Sequence, residues 1–156
     1  MRQFTFDKKI KLIIEDNALN KIYNYNPIDY NYENGGILLG RLKENSNTYI
    51  VTDVSTTNSK DKKGKNYFIR NKKVAQIILN KYWKESEGKT NYLGEWHTHN
   101  EKYPNPSFID KKLIRQMKNN KNDEYVYVFM IILGLNKELY VCTINEQNKI
   151  QKLEEE

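Results

Sequence analysis

The chain has 156 residues with a formal net charge of +6 and a pI near 9.2, which is the size of one ordinary domain and too short for two large ones. Apolar residues make up 38% and aromatic residues 12%, which excludes wholesale disorder, and the single cysteine, Cys142, excludes an intrachain disulfide. No apolar run reaches the roughly 18–20 residues of a membrane helix and no signal-peptide core is present, so we expect one cytoplasmic domain over 1–156.

The first third of the chain alternates short apolar stretches with turn signals. Asp16 is a candidate cap for a helix whose apolar residues share one face. Asn34-Gly35-Gly36 is a turn signal directly before an apolar run. The predicted elements in this part are strands over 4–6, 10–14 and 37–40 and a helix over 16–25.

The middle of the chain carries a polar, lysine-rich stretch between β-branched segments. This stretch, 56–66, contains Lys60, Lys62, Lys63 and Lys65 and is predicted to be a loop. Apolar residues recur at helical spacing after it. The predicted elements here are strands over 48–55, 67–70 and 92–98 and a helix over 72–87.

The last third begins with a loop, 100–106, that holds two of the three prolines. The predicted elements that follow it are a helix over 107–119 and strands over 125–133, 138–144 and 149–153. Strands outnumber helices and several are neighbours in the chain, which predicts an α/β fold with a mixed, largely antiparallel sheet flanked by helices.

Both histidines of the chain, His97 and His99, lie two residues apart at the end of the predicted strand 92–98. Alternate side chains of a strand share a face, so the two imidazoles project side by side, about 7 Å apart at the backbone. They can converge on one metal ion at distances of about 2.0–2.1 Å. Such a pair is otherwise an ordinary pair of polar surface residues.

A carboxylate that could complete a metal site follows in the next helix. Ser107-x-x-Asp110 begins that helix and also has the spacing of a capping box. If the first helical turn faces the end of the strand, Asp110 comes close to His97 and His99. Two histidines and one carboxylate leave a fourth tetrahedral position for water, as in catalytic zinc sites.

Together these residues resemble the pattern of the JAMM/MPN+ metalloproteases, the JAB domain family. That pattern is His-x-His, seven residues and Ser-x-x-Asp, with a glutamate upstream. Residues 33–40, Glu-Asn-Gly-Gly-Ile-Leu-Leu-Gly, resemble the segment that bears the glutamate. The resemblance covers about residues 30–135 and implies a single cytidine-deaminase-like JAB/MPN domain. The residues that match the histidine and serine motifs are His97, His99, Ser107 and Asp110.

The resemblance implies a role for each matching residue. His97, His99 and Asp110 would bind Zn²⁺, with water as the fourth ligand. Glu33 would be the general base that takes the proton of this water and delivers it to the leaving amine. Ser107 would donate a hydrogen bond to the oxyanion. The implied reaction is hydrolysis of a peptide or isopeptide bond.

Five further residues have simpler interpretations. Glu95 shares the strand face of the histidines and is an alternative base or a contact to a histidine ring. Thr98 and Trp96 point to the opposite face and are expected in the core. Cys142 is expected to be a buried, inert thiol. Asn100 stands where the family normally has proline, which alters the loop but removes no ligand.

Family members typically cut behind the C-terminal tail of ubiquitin or a ubiquitin-like protein, with the tail extended beside the sheet. Only residues 119–124 separate the predicted helix from the next strand, so the chain is similar to compact prokaryotic JAB proteins. This similarity implies deconjugation of a protein in a bacterial antiphage operon such as CBASS. The implied partners are a ubiquitin-like or conjugated substrate and ubiquitin-activating-like and conjugating-like enzymes. Loop 56–66 is the candidate substrate contact.

Other functions remain open at this point. The family also includes enzymes that process small sulfur-carrier proteins and non-catalytic MPN scaffolds, although scaffolds usually lose the metal residues. The basic charge would also suit a nucleic-acid-binding domain. Against it, the charge is almost all lysine, scattered among asparagines as on a solvated surface. We therefore expect neither a nucleic-acid nor a membrane partner.

Overall fold

The computed structural model describes residues 1–156 and contains ten strands, three α-helices and one short 3₁₀ helix. The helices are α1 (Asp16–Tyr23), α2 (Lys72–Glu85) and α3 (Phe108–Asn120), and Leu135–Lys137 is the 3₁₀ helix. The strands are β1 (Arg2–Phe6), β2 (Ile10–Ile14), β3 (Gly35–Leu42), β4 (Thr48–Val54), β5 (Lys62–Gly64), β6 (Tyr67–Ile69), β7 (Asn91–Thr98), β8 (Phe129–Leu133), β9 (Leu139–Ile144) and β10 (Ile150–Glu155).

Eight strands form a closed barrel in the order β1-β10-β9-β8-β7-β3-β4-β2. The pairs β2–β4 and β7–β8 are parallel and the other six pairs are antiparallel, so the predicted mixed, largely antiparallel sheet is confirmed. Closure depends on the pairing of β1 with β10, in which Phe4 lies opposite Glu155. A local pattern cannot predict a contact between strands so distant in the chain.

Two apolar clusters stabilise the barrel from its two faces. One contains α1 together with alternate strand residues such as Leu38, Trp96 and Ile131. The other packs α2 and α3, through residues such as Ala75 and Ile114, against the opposite face of β3, β7, β8 and β9. Both faces of the central strands are therefore buried, which explains their nearly continuous apolar sequences. None of the three helices has the length and apolar character to cross a bilayer.

The cap residue of α1 and the start of β8 differ from the predictions, whereas α1 begins at residue 16 as predicted. Asp16 does not cap α1 through its side chain; Glu15 is the N-cap residue, and the Asp16 carboxylate pairs with the N-terminal ammonium group. The strand predicted over 125–133 begins only at Phe129. Before it, the backbone N–H groups of Val126 and Tyr127 donate to the Tyr49 hydroxyl instead of a neighbouring strand.

The lysine-rich stretch 56–66 was predicted to be a loop, but its second half contains a short strand. Lys62–Gly64 forms β5, which pairs with β6 in a separate two-stranded hairpin. The pairing is local, but the polar composition of Lys62–Gly64 does not indicate a strand. The hairpin is anchored to the barrel because the Glu33 N–H donates to the Gly64 carbonyl at 2.8 Å.

A bulge between β3 and β7 sets which face each later β7 side chain occupies. Leu38 pairs with Gly94 and Leu39 with Tyr92, which leaves Leu93 as the extra residue. Gly94 has φ +132° and lies so close to β8 that a Cβ atom there would overlap the Phe129 carbonyl oxygen. Only glycine satisfies both the backbone conformation and this close approach.

We predict that Gly94→Ala lowers the free energy of unfolding by more than about 3 kcal/mol, because backbone atoms must move to accommodate the methyl group. Urea denaturation measures this change. Gly88→Ala is the matched control: φ is also positive, +82°, but the nearest atom to an added Cβ is 3.4 Å away. We expect that control to cost about 1 kcal/mol. Equal effects of the two substitutions would contradict the packing argument.

Candidate active site

The two histidines lie at the end of β7, where three elements meet. Gly35 of β3 pairs with His97, and the parallel strand β8 pairs with it through Ile132. The His99 N–H donates to the Leu133 carbonyl at 2.9 Å. The pairing of this segment with β8 therefore continues one residue beyond the predicted strand 92–98. Both imidazoles are buried, and their Nε2 atoms are 3.2 Å apart. The predicted convergence of the pair is confirmed.

The first turn of α3 brings a carboxylate to these rings. Asp110, Ile114 and Met117 form the buried face of α3, so helical periodicity aims the carboxylate at the barrel. Ser107 is the N-cap: its hydroxyl accepts from the Asp110 N–H at 3.1 Å, and Asp110 accepts from the Ser107 N–H at 2.8 Å. The capping box therefore forms and also orients Asp110.

Asp110 contacts both histidines. Its Oδ1 is 3.0 Å from His97 Nε2 and its Oδ2 is 3.0 Å from His99 Nε2. Ligands about 2.0–2.1 Å from a tetrahedral zinc ion are about 3.3 Å from one another. The three side chains therefore already have nearly the mutual spacing of such a ligand set, which requires only small expansion.

Glu33 reaches the same histidines from the other side of the cluster. Its Oε1 is 3.2 Å from His99 Nε2. The backbone on each side of Glu33 is held: Glu33 N–H bonds to the hairpin, and Asn34 exchanges two hydrogen bonds with Thr98, at 2.8 and 3.0 Å. No local pattern predicts burial of this glutamate, but in the structure it is only 7% exposed.

Two carboxylates are thus available for a metal ion. The buried side chains of Glu33, His97 and His99 could hold one. Asp110 is better placed for direct coordination because it contacts both Nε2 atoms, whereas the closest contact of Glu33 is to His99 alone. The donor set of two imidazoles and one or two carboxylates suits a divalent metal such as zinc.

The surroundings shift the pKa values of the two carboxylates in opposite directions. Burial raises the pKa of Glu33 to about 7, although the nearby histidines oppose this shift. Burial would also raise the pKa of Asp110, but hydrogen bonds from His97 and His99 outweigh it and hold that pKa far below its ordinary value. Near neutral pH, Asp110 is therefore ionised, whereas Glu33 can exchange a proton.

His99 responds to the same neighbours. Burial by itself lowers its pKa, but the hydrogen bond and charge of Asp110, with the charge of Glu33, outweigh burial and raise it. Its Nδ1 atom is buried without a hydrogen-bond partner. The nearest acid to that atom is Glu101, with Oε1 at 3.7 Å. Glu101 was not among the residues predicted for the site, and its position two residues after His99 was the available signal.

The other β7 side chains are distributed by strand alternation. Thr98 and Trp96 are buried as predicted, and the Trp96 indole donates to the Ser55 carbonyl at 2.9 Å. The expected contact of Glu95 with a histidine is wrong. Glu95 instead accepts from the Tyr92 hydroxyl at 2.8 Å and pairs with Arg70 at 3.2 Å.

Cys142 is a buried residue of β9, and burial raises the pKa of its thiol to about 12. The predicted inert thiol agrees with this environment, because the reactive thiolate form is strongly disfavoured.

An open cleft of about 390 Å³ leads to the cluster. Glu33, His99 and Ser107 line it, together with Lys65 and Asn66 from the hairpin connection. Exposed aromatic side chains from two sides, Tyr30 and Phe108, also line it. The lysine-rich stretch thus contributes to the cleft through its last two residues, Lys65 and Asn66.

Asn100, which replaces the family's usual proline, also lines this cleft and is exposed. The loop after it is anchored without a proline at that position, because the Leu135 N–H donates to the Glu101 carbonyl at 2.8 Å. The change in sequence leaves the histidine cluster assembled.

Comparisons with known proteins agree with this architecture. A family model described as prokaryotic homologs of the JAB domain matches residues 15–145. The solution structure of a protein from Desulfitobacterium hafniense is similar with a TM-score of 0.58 and 18% sequence identity, covering 93% of this chain and 89% of that one. At this identity the likeness concerns the fold alone.

Several curated proteins named CD-NTase/cGAS isopeptidase are similar in sequence. One from Escherichia coli (strain TW11681) is 32% identical over 108 residues, covering 69% of this chain and 67% of that protein. One from Enterobacter hormaechei subsp. hoffmannii (strain UCI 50) is 31% identical over 102 residues, covering 65% and 55%. One from Pseudomonas aeruginosa (strain BWHPSA011 / Pa011) is 30% identical over 113 residues, covering 72% and 69%.

The family model spans most of the chain, including β3, β7 and α3, which together carry or flank every residue of the histidine cluster. The matched region, the barrel and the clustered side chains lead to one conclusion: this chain belongs to the prokaryotic JAB domain family.

Proposed function

We propose that this protein is a zinc-dependent isopeptidase that releases a conjugated protein in a bacterial antiphage system. The bond cut would be the amide behind the C-terminal tail of a ubiquitin-like protein or of a protein conjugated in the same way. The names of the relatives, CD-NTase/cGAS isopeptidase, support this reaction class, and we therefore propose a CD-NTase conjugate as the first substrate to test. The proposed partners are the ubiquitin-activating-like and conjugating-like enzymes that would form it.

The observation that carries the proposal is the buried cluster at the end of β7. Two imidazole Nε2 atoms lie 3.2 Å apart, and an ionised carboxylate is 3.0 Å from each. A second carboxylate with a pKa of about 7 lies 3.2 Å from one of them. Fold stability does not require this concentration of buried polar groups, and burial of such groups is costly without a compensating role.

In the proposed site His97, His99 and Asp110 would hold zinc and would leave one coordination position for water. When bound, zinc would supply Lewis acidity and make hydroxide available near neutral pH. The capping box with Ser107 fixes the orientation of Asp110, since it ties the carboxylate to the backbone of the helix start. Rigid support of this kind is what a metal ligand requires.

Glu33 is the proposed general base. Burial raises its pKa to about 7 in the zinc-free site, which supports a carboxylate that accepts a proton near neutral pH and later returns it to the leaving amine nitrogen. Ser107 lines the cleft beside the histidines, where its hydroxyl would donate to the substrate carbonyl oxygen as that oxygen gains negative charge. Glu95 is a poorer candidate for the base because Tyr92 and Arg70 already engage its carboxylate.

We expect the wild-type protein to bind about one zinc ion per chain and His99→Ala to bind almost none, because the variant loses one of three protein ligands. Elemental analysis after reconstitution and desalting measures this ratio. Asn100→Ala, next to the ligand but exposed, is the control and should keep its zinc. An absence of zinc in the wild type would remove the basis of the mechanism.

Glu33→Gln should keep the zinc ion and reduce kcat by about 10²–10⁴-fold, because the amide cannot accept the proton. The assay follows cleavage of a CD-NTase conjugate or of a ubiquitin-like fusion, with zinc content measured on the same samples. Unchanged hydrolysis by the variant would exclude Glu33 as the base. Zinc binding by the wild type without hydrolysis of any conjugate, including sulfur-carrier fusions, would favour a non-catalytic scaffold.

The raised pKa of Glu33 also predicts a stability cost in the zinc-free protein. Its folded-state pKa of about 7 exceeds the ordinary value of 4.5, so the folded state binds more protons between these pH values. The contribution of Glu33 to the free energy of unfolding therefore falls as pH rises through this window. Above pH 7, Glu33→Gln should be more stable than the wild type by about 2–3 kcal/mol, with little difference below pH 4.5.

Urea denaturation in the presence of a chelator tests this pH dependence. Glu44→Gln is the matched control because the same substitution is made in an exposed side chain of the β3–β4 turn, at the opposite end of β3 from Gly35 and His97. It should leave the difference between acid and neutral pH unchanged. If wild type and Glu33→Gln changed in parallel with pH, the assignment of a raised Glu33 pKa would be wrong.

A further inference from the structure

The cleft that leads to the histidines is called the active cleft below. A second groove continues from it along helix α3. It lies between α3 and the β5–β6 hairpin, has a volume of about 530 Å³, and is called the α3 groove below. Ile109, at the start of α3, lines both the active cleft and the α3 groove, and Asn120, at its end, lines the far part of the groove. At 1.5 Å per residue this path is about 16 Å long, the length of about five extended residues.

The walls of the α3 groove suit an extended peptide. β6 pairs with β5 on one side only, so its other edge carries backbone groups without a strand partner. Phe68, Ile69 and Leu113 supply apolar surface, and Ile69 is 55% exposed. An open strand edge beside apolar side chains is the arrangement that binds a peptide by strand addition.

The charge of the α3 groove is the unusual feature. Arg70, Lys72 and Lys112 line it, and the single acidic residue that does so is Glu95. Arg70 pairs with this buried carboxylate, so the excess positive charge comes from Lys72 and Lys112. The adjacent helix α2 has no acidic residue in its first turn, so the positive end of its dipole adds to the same potential. The groove therefore has a net positive charge and would repel a basic segment.

We propose that the α3 groove binds an acidic, extended peptide of about five residues directly before the scissile bond, and so selects substrates by negative charge. Identifying this peptide as the substrate's tail rests on the proposed isopeptidase function. The binding preference itself follows from Lys72 and Lys112, because Arg70 is paired with Glu95, and is tested without cleavage. Arg70 has a second role in the groove because its Nε lies 3.2 Å from the buried Glu95 carboxylate.

The test uses three fluorescein-labelled hexapeptides that end in Gly-Gly and differ only in two residues, which are both glutamate, both glutamine or both lysine. Binding to the zinc-loaded Glu33→Gln protein is measured by fluorescence anisotropy, so hydrolysis does not interfere. We expect the glutamate peptide to bind about tenfold more tightly than the glutamine peptide and the lysine peptide to bind most weakly, with the preference decreasing as salt is raised.

The variant Lys72→Glu/Lys112→Glu should abolish or reverse this preference. The matched control Lys73→Glu/Lys111→Glu makes the same change in net charge at neighbouring exposed lysines that do not line the groove, and should retain it. Arg70 is left unchanged because its removal would leave Glu95 buried without its cation.

Three results would overturn the proposal: no preference among the peptides, no binding of any peptide, or an equal loss of preference in both double variants. A single-stranded deoxythymidine octamer that bound more tightly than the glutamate peptide would also overturn it, in favour of a nucleic-acid surface. If the wild type cleaved no conjugate but the glutamate preference held, the proposed reaction would fail and the groove assignment would stand.

Discussion

The close pairing of β3 with β7 is the constraint on which the rest of the site depends. Gly35 lies opposite His97, and a Cβ atom at Gly35 would overlap the Trp96 carbonyl oxygen. Asn34 and Thr98 extend the pairing by two hydrogen bonds, so the residue before Asn34 is carried to the end of β7. Glu33 therefore reaches the histidines through backbone geometry and not through its own side-chain preferences.

The second supporting element is the start of α3. Two hydrogen bonds between Ser107 and Asp110 give partners to two backbone N–H groups at the start of the helix. The same bonds orient the Asp110 carboxylate toward two imidazoles. A capping box is usually a local stabilising motif. Here Asp110 also contacts both histidines at the end of β7. The motif therefore caps the helix and positions a carboxylate in the cluster at the same time.

Two carboxylates on the same histidine pair acquire different properties from their surroundings. Asp110 contacts both rings and stays ionised. Glu33 contacts one ring, and burial raises its pKa to about 7. Divergent pKa values in paired acids are a common way to divide roles within a site. The division of ligand and base in the proposed mechanism follows from this difference in contacts.

By itself, the sequence determined the α/β class, most of the elements, and the side-by-side histidines, because strand alternation and helical periodicity are local properties. Spacing also identified Ser107 and Asp110. Only the tertiary structure decided that the sheet closes through β1 and β10, that Lys62–Gly64 forms a strand, that Glu95 pairs with Arg70, and that Glu33 is buried beside His99. Barrel closure, the Glu95 contact and the burial of Glu33 depend on residues far apart in the chain, whose partners no local pattern specifies. The short β5–β6 hairpin is local, but the polar composition of Lys62–Gly64 does not indicate a strand.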